Sequence, residues 1–471
     1  MADMKDKHGR VRDSNTPVFR LYREKYMKLL FVSLGCDKNL VDSEKMLGLL
    51  SDRGFSFTDD ETEAEVIVVN TCCFIGDAKE ESINTLIEMG QMKEKGQCKV
   101  LIAAGCLAQR YRDEVLKEIP EVDGIIGTTS FDQIVAVVEE TLQGKVVNRL
   151  AGINDNPVPN SRRQLTTGGH YAHLKIAEGC DKHCTYCIIP SVRGNYRSFS
   201  MEDLVKEAKE LADKGVRELI LVAQETTLYG VDIYGSKALP ELLKSLAAIE
   251  GIYWIRILYC YPEEITDELI EVIRTEPKVC HYLDIPIQHC SDRVLKRMGR
   301  RTNQAKLREM IEKLRTAIPD IALRTTLIAG FPGETEEDHE EMMEFIDEME
   351  FDRLGVFAYS QEEDTPAAIM PDQVDEEIKL TWRDELMELQ QEIAFDRSEA
   401  MVGRVVEAIV EGKVADESVY VGRTYMDAPG VDGYVFIYTS EELMSGQFVD
   451  VRITGASEYD LIGELTDEFA Q

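Results

Sequence analysis

The chain has 471 residues, with 53 basic against 88 acidic side chains and a formal net charge of −35. That length allows two to four domains, and the acidic excess argues against direct RNA binding, which needs Lys and Arg to neutralise phosphate, while suiting a basic protein partner. No apolar run reaches about 18 residues, which excludes a transmembrane helix, and MADMKDKHGRVRDSN at the N-terminus lacks the apolar stretch of a signal peptide. A reducing cytoplasmic location follows, so the eleven cysteines read first as metal ligands or catalytic groups rather than disulfides.

Residues 1–26 form a polar tail, and from Lys28 strands and helices alternate. Predicted strands are 29–34, 65–69, 99–104 and 123–127, followed by a helix over FDQIVAVVEETL with Thr129 or Ser130 as its N-cap. The alternation implies a doubly wound parallel α/β sheet over 27–148. The Gly-, Pro- and Asn-rich stretch 149–170 is a linker. A second βα series occupies 171–397, with strands at 172–177, 218–223, 254–259, 281–287, 322–328 and 353–359. Six units are too few for an eight-stranded barrel, so a partial (β/α)6 barrel is expected, closed by a long polar helix near 374–398. Ser200 with Asp203 starts one helix, Gly215 ends it, and Thr335 followed by three acidic residues starts another. Residues 398–471 carry short strands with Gly and Asp turns, the pattern of a small five-stranded antiparallel β-barrel.

Cys180, Cys184 and Cys187 lie in EGCDKHCTYC, directly after the first strand of the second series. A ligand set at the C-terminal end of a barrel strand sits where barrel active sites sit. Three thiolates leave one iron of a four-iron cluster open for a small molecule; a zinc site completed by His183 is the alternative. Cys36, Cys72 and Cys106 each fall just past the end of a successive strand of the first series. Those ends share one edge of a parallel sheet, so three distant thiols converge there; coincidental burial of three thiols is the alternative. Cys73 reads as bystander packing, and Cys98, Cys260, Cys280 and Cys290 as core thiols.

With Tyr186 just before its third cysteine, the 180–187 triad resembles the signature of the radical S-adenosylmethionine superfamily. Together the two groups resemble the methylthiotransferase family of radical enzymes across almost the whole chain, with a TRAM-type module after the barrel. The local wording is closest to the RimO branch, which modifies a ribosomal protein. It is carried by SLGCDKNLVDSE (33–44), NTCCFIGDAKEESI (70–83), GCLAQRY (105–111), DIPIQHCSDRVLKRMGR (284–300) and RTTLIAGFPGETEED (324–338). Arg197-Ser198-Phe199 departs from the usual basic segment after the triad.

The resemblance implies two [4Fe–4S] clusters and S-adenosylmethionine. It makes Cys180, Cys184 and Cys187 the radical-generating set and Cys36, Cys72 and Cys106 the sulfur-delivering set. In the family the open iron chelates the methionine moiety, and reduction releases a 5′-deoxyadenosyl radical. Tyr186, Gln224, Glu225, Gln288 and Arg324 are implied cosubstrate contacts, and Gly330–Glu334 the adenine-side turn. The implied reaction is methylthiolation of an aspartate β-carbon on the basic small-subunit ribosomal protein S-twelve, with an electron-donor protein. Residues 398–471 hold four basic and fifteen acidic side chains, which suits a basic protein better than RNA. A tRNA adenosine methylthiotransferase of the MiaB type and a non-catalytic iron–sulfur carrier are the alternatives.

Overall fold

The computed structural model describes residues 27–156 and 162–466; the expected polar tail and part of the expected linker lie outside the described residues. The chain divides into two compact units, one up to Gln164 and one from Leu165 onward, with Phe74–Gly76 counted in the second.

The first unit holds a six-stranded parallel sheet in the order β2-β1-β3-β4-β5-β6. Its strands are β1 (Lys28–Ser33), β2 (Ser56–Phe57), β3 (Val66–Thr71), β4 (Val100–Gly105), β5 (Gly124–Ile126) and β6 (Val147–Arg149). β3 and β4 are buried along their whole length, as strands covered on both faces must be. Leu29, Val66, Val68, Val100 and Ile102 pack against Met46, Leu50, Ile134, Val137 and Val138 of the covering helices. Each such side chain contributes roughly 1.5–3 kcal/mol by leaving water. The sequence missed β2 and β6. It also misread the cap of the last helix: a 3-10 turn occupies Phe131–Gln133, the helix runs Ile134–Thr141, and no side chain caps either. Ser130 Oγ instead accepts the Ala151 amide at 2.8 Å, and Thr129 donates to the Gly152 carbonyl at 3.3 Å, so both hydroxyls hold the following loop.

The second unit holds an open parallel sheet in the order β14-β13-β12-β11-β10-β7. Its strands are β7 (Tyr171–Lys175), β10 (Glu218–Val222), β11 (Trp254–Ile257), β12 (Val279–Asp284), β13 (Ala322–Ala329) and β14 (Arg353–Ala358). A two-stranded ribbon of β8 (Ala177–Glu178) and β9 (Arg197–Ser198) follows β7. Helices have the start signals read from sequence. Ser200 Oγ accepts the Asp203 amide, and Thr335 with Asp338 forms a full capping box. The long helix runs Glu376–Glu399.

Alternate residues of the sheet face different partners. Leu219, Leu221, Ile255, Ile257, Leu283 and Leu323 meet the helices. Ile220, Val222, Trp254, Tyr282 and Ala322 meet Ile409, Ala428, Tyr425 and Phe448 of the C-terminal module. This double burial explains the unbroken apolar run Leu219–Val222. The module is a closed barrel of β15 (Val405–Lys413), β16 (Val419–Thr424), β17 (Val435–Tyr438), β18 (Phe448–Ser457) and β19 (Asp460–Leu465). It departs from the expected all-antiparallel pattern in one place: β19 inserts between β17 and β18 and pairs with β17 in parallel, Val435 opposite Leu461. Among the described residues no helix is long and apolar enough to cross a membrane.

Candidate functional site

In the first unit, Cys36, Cys72 and Cys106 follow β1, β3 and β4, which are neighbours in the sheet. Cys36 is exposed at the start of helix Asp37–Arg53, and Cys72 and Cys106 are buried. Gly35 has φ +86°, and a Cβ there would stand 2.7 Å from Cys72 Cβ and 3.1 Å from its Sγ. Only glycine lets the two cysteine loops approach so closely. Asn39 ties the three loops. Its Nδ2 donates to the Leu34 and Thr71 carbonyls at 3.1 and 3.0 Å, and Cys106 Sγ lies 3.7 Å from its Oδ1. Asn70 donates to the Asn39 carbonyl at 2.9 Å and to Ser43 Oγ at 2.8 Å. Ser82 Oγ both accepts from the Cys72 amide and donates to its carbonyl, each at 2.9 Å. Cys73 is fully buried; burial, with Cys106 and Cys72 beside it, pushes its thiol far up, and Arg110 offsets part of that. Cys98, Cys260, Cys280 and Cys290 are buried elsewhere in the two units.

In the second unit, Cys180, Cys184 and Cys187 lie on the loop between β8 and helix Ile189–Arg193. The Cys180 amide donates to the Gly194 carbonyl at 3.1 Å, and the Cys187 amide to the Cys184 carbonyl at 3.0 Å. Gly179, at φ +72°, would place a Cβ 2.1 Å from the Asn195 carbonyl oxygen, so the residue before Cys180 must be glycine. Burial, with Glu225 and Cys184 nearby, pushes the Cys180 thiol up to about 11. Burial does the same to Cys187, reinforced by Cys184 and Cys180. Tyr186 meets Phe331 of the turn after β13 edge-to-face at 6.4 Å.

Glu225 is fully buried just past β10. One oxygen accepts from the Thr227 amide at 2.9 Å and from its hydroxyl; the other has no hydrogen-bond partner and lies 3.8 Å from Lys182 Nζ. Burial raises its carboxyl to about 7 against the pull of Thr227 and Lys182. The buried Gln224 Oε1 is likewise unpartnered. Gln288 bridges to β13 with φ +72°, its amide donating to the Thr326 carbonyl at 2.9 Å.

Arg324, third in the eight-residue β13, lies opposite Asp284, the last residue of β12, whose following loop carries Gln288. Its guanidinium donates to Asp284 at 2.9 Å and lies 3.3 Å from Asp432 of the C-terminal module. Asp284 in turn accepts the Tyr259 amide of the loop after β11 at 3.0 Å. Sequence reasoning did not single out Lys182, Tyr261, His289 or Arg300 as site residues, and gave Glu334 only as part of the adenine-side turn; all five are buried. His289 Nε2 lies 3.4 Å from Glu334 Oε1 and joins the Gln288 loop to the turn after β13. Lys182, inside the cysteine loop, and His289, Arg300 and Glu334, inside the quoted motifs, had a signal; Tyr261 had only its place after β11.

Among the described residues no three His, Cys, Asp or Glu side chains converge on one metal ion. His183, the fourth ligand of a zinc reading, is exposed. A four-iron cluster takes one thiolate per iron, so its ligands stand further apart than those of one ion. Three clustered thiols beside an unpartnered, buried carboxylate oxygen fit such a cluster with a small ligand carrying an amine.

Residues 174–346 match the radical SAM superfamily, 28–127 the uncharacterized protein family UPF0004, and 402–466 the TRAM domain. The fold is similar to that of the radical S-adenosylmethionine methyltransferase TsrM from Kitasatospora setae, solved with cobalamin and a [4Fe–4S] cluster bound. The TM-score is 0.54 at 12% identity, over 73% of this chain and 74% of that one. The ribosomal protein uS12 methylthiotransferase RimO of Lachnoclostridium phytofermentans is 63% identical over 93% of this chain and 99% of its own length. Its counterparts in Acetivibrio thermocellus and Clostridioides difficile are 50% and 47% identical, each over 94% of this chain and 99% and 100% of their own. Iron–sulfur and S-adenosylmethionine chemistry comes with the radical superfamily, and the chain belongs to the RimO family of ribosomal protein uS12 methylthiotransferases.

Proposed function

We propose that this chain methylthiolates the β-carbon of an aspartate on ribosomal protein uS12. We assign one [4Fe–4S] cluster to Cys180, Cys184 and Cys187 and a second to Cys36, Cys72 and Cys106. The observation that carries the reading is the near-full-length match to uS12 methylthiotransferases at up to 63% identity. When bound, the clusters and S-adenosylmethionine supply one-electron sulfonium cleavage, hydrogen abstraction from an unactivated carbon and a methylthio group to put in its place.

The protein's own residues bind, orient and exclude water. The free oxygen of Glu225 accepts the cosubstrate's amine, which needs the carboxylate ionised. Tyr186 packs edge-to-face on the buried Phe331, which fixes its ring beside the cysteine loop, and Gln288 is held by its bridge to β13. Asn39, Asn70 and Ser82 hold the loops of the second thiol set.

The C-terminal module supports a basic protein rather than RNA as partner. Of its four basic residues, Arg423 is fully buried, which leaves an acidic exterior. We place the reaction in the cytoplasm, where its substrate is made, with an electron-donor protein.

Mass spectrometry of ribosomal proteins from cells with and without the gene tests the reading. The expected result is a uS12 aspartate carrying a methylthio group only when the gene is present. An unmodified aspartate in both, or loss of methylthio-adenosine from tRNA instead, overturns it.

A further inference from the structure

Cys184 has a buried tyrosine hydroxyl within hydrogen-bond distance of its sulfur, brought to it by another element. The Tyr261 hydroxyl lies 2.7 Å from Cys184 Sγ. Tyr261 is 7% exposed and follows β11, so it reaches the cysteine loop from a different element. Two cations lie over its ring. Arg300 is 3.8 Å from the ring centroid and Lys182 is 4.3 Å from it. Arg300 is itself fixed, donating to the Pro286 carbonyl at 2.9 Å through Nη2, with Glu263 3.9 Å away. Lys182 is fixed by Glu264, which also holds Lys237 at 2.7 Å.

A cation over an aromatic ring draws density from it, which strengthens the phenol as a donor. Hydrogen bonds to cluster thiolates are among the levers that set a cluster's reduction potential, because they favour the more negative, reduced state. Fixed positive charge close by acts in the same direction.

We propose that Tyr261, braced by Arg300 and Lys182, is a positioning residue that donates a hydrogen bond to the Cys184 thiolate and raises the potential of the cluster that Cys184 holds. The proposal rests on the assignment of Cys180, Cys184 and Cys187 as cluster ligands. It explains why two cations are buried against one tyrosine beside a thiol, an arrangement that an apolar wall would not need.

The test is an anaerobic redox titration followed by electron paramagnetic resonance. It uses the full chain with Cys36, Cys72 and Cys106 changed to Ala, so that one cluster is observed. Tyr261→Phe removes the hydroxyl and keeps the ring. At a fixed potential it is expected to lower the reduced-to-oxidised ratio about tenfold, equal to about 59 mV for a one-electron couple. Arg300→Gln is expected to move the midpoint the same way by less, and it carries the test if the phenylalanine variant loses its cluster. A loaded cluster with an unchanged midpoint in the variants overturns the role of Tyr261 and leaves the ligand assignment standing. A parent chain that loads no cluster overturns the ligand assignment, and the role of Tyr261 with it. A fold defect alone would reduce cluster loading without moving the midpoint of what is loaded.

Discussion

Two buried glutamates bracket β10, and their surroundings push them in opposite directions. Glu218, the first residue of the strand, accepts from Arg256 Nε and Arg423 Nη2, each at 2.7 Å. Burial alone would raise its carboxyl, but Arg423 and then Arg256 overcome that and hold it at about 2. Glu225, just past the other end, is raised to about 7 by burial and keeps one oxygen without a hydrogen bond. The strand is therefore satisfied at its base, where Arg423 brings the C-terminal module onto the sheet, and left unsatisfied at its mouth. An uncompensated buried polar atom costs roughly 1–3 kcal/mol, and a ligand that supplies the missing partner recovers it.

The largest effect should come from breaking the base. Glu218→Gln leaves Arg256 and Arg423 buried without their carboxylate and is expected to lower stability by about 3–5 kcal/mol in denaturant unfolding. A loss below 1 kcal/mol would mean that the pair is not what anchors the module. Because the Glu218 carboxyl is depressed, its contribution is complete above about pH 4.5 and fades as the pH falls toward 2.

The mouth should respond in affinity rather than stability. Glu225→Gln is expected to weaken S-adenosylmethionine binding by about 10- to 100-fold, the worth of a charge-assisted hydrogen bond of about 1.5–3 kcal/mol. Unfolding stability should stay level or rise at neutral pH, since the cost of ionising this carboxyl appears above about pH 4.5 and is complete above about 7. In the unaltered protein the affinity should fall by up to tenfold per unit below about pH 7, and this slope should vanish in the variant. Anaerobic calorimetry across that range checks both, and a slope that survives in Glu225→Gln would assign the titration to another group.

The smallest effect locates Arg324. Arg324→Lys should cost about 1 kcal/mol of stability, as its bonds to Asp284 and Asp432 loosen. S-adenosylmethionine affinity should stay within about twofold. A larger change in affinity than in stability would make Arg324 a cosubstrate contact.

The same contrast shows what was legible in the sequence. The 180–187 thiols are local and their spacing is the signal. The Cys36, Cys72 and Cys106 set was legible because a parallel sheet puts successive strand ends on one edge. Strands β2 and β6 were not, since two or three edge residues carry no period. The ion pair of Arg324 with Asp432 was not legible, because that carboxylate comes from another module. Tyr261 touches Cys184 only through the fold, 77 residues away.

The parallel seat of β19 between β17 and β18 has a consequence for synthesis. A ribosome releases a chain from its N-terminus at roughly 5–20 residues per second, and domains tend to fold as they emerge. The C-terminal ring cannot close until residues 460–465 have left the exit tunnel, because β18 has already passed and its place beside β17 must stay open. Until the module docks, Glu218 lacks Arg423, Arg256 lacks the Thr424 and Tyr425 carbonyls, and Arg353 lacks Asp427. The charged floor of the sheet is thus assembled last, and a chain stopped before Asp460 leaves two open strand edges ready to pair with a neighbour.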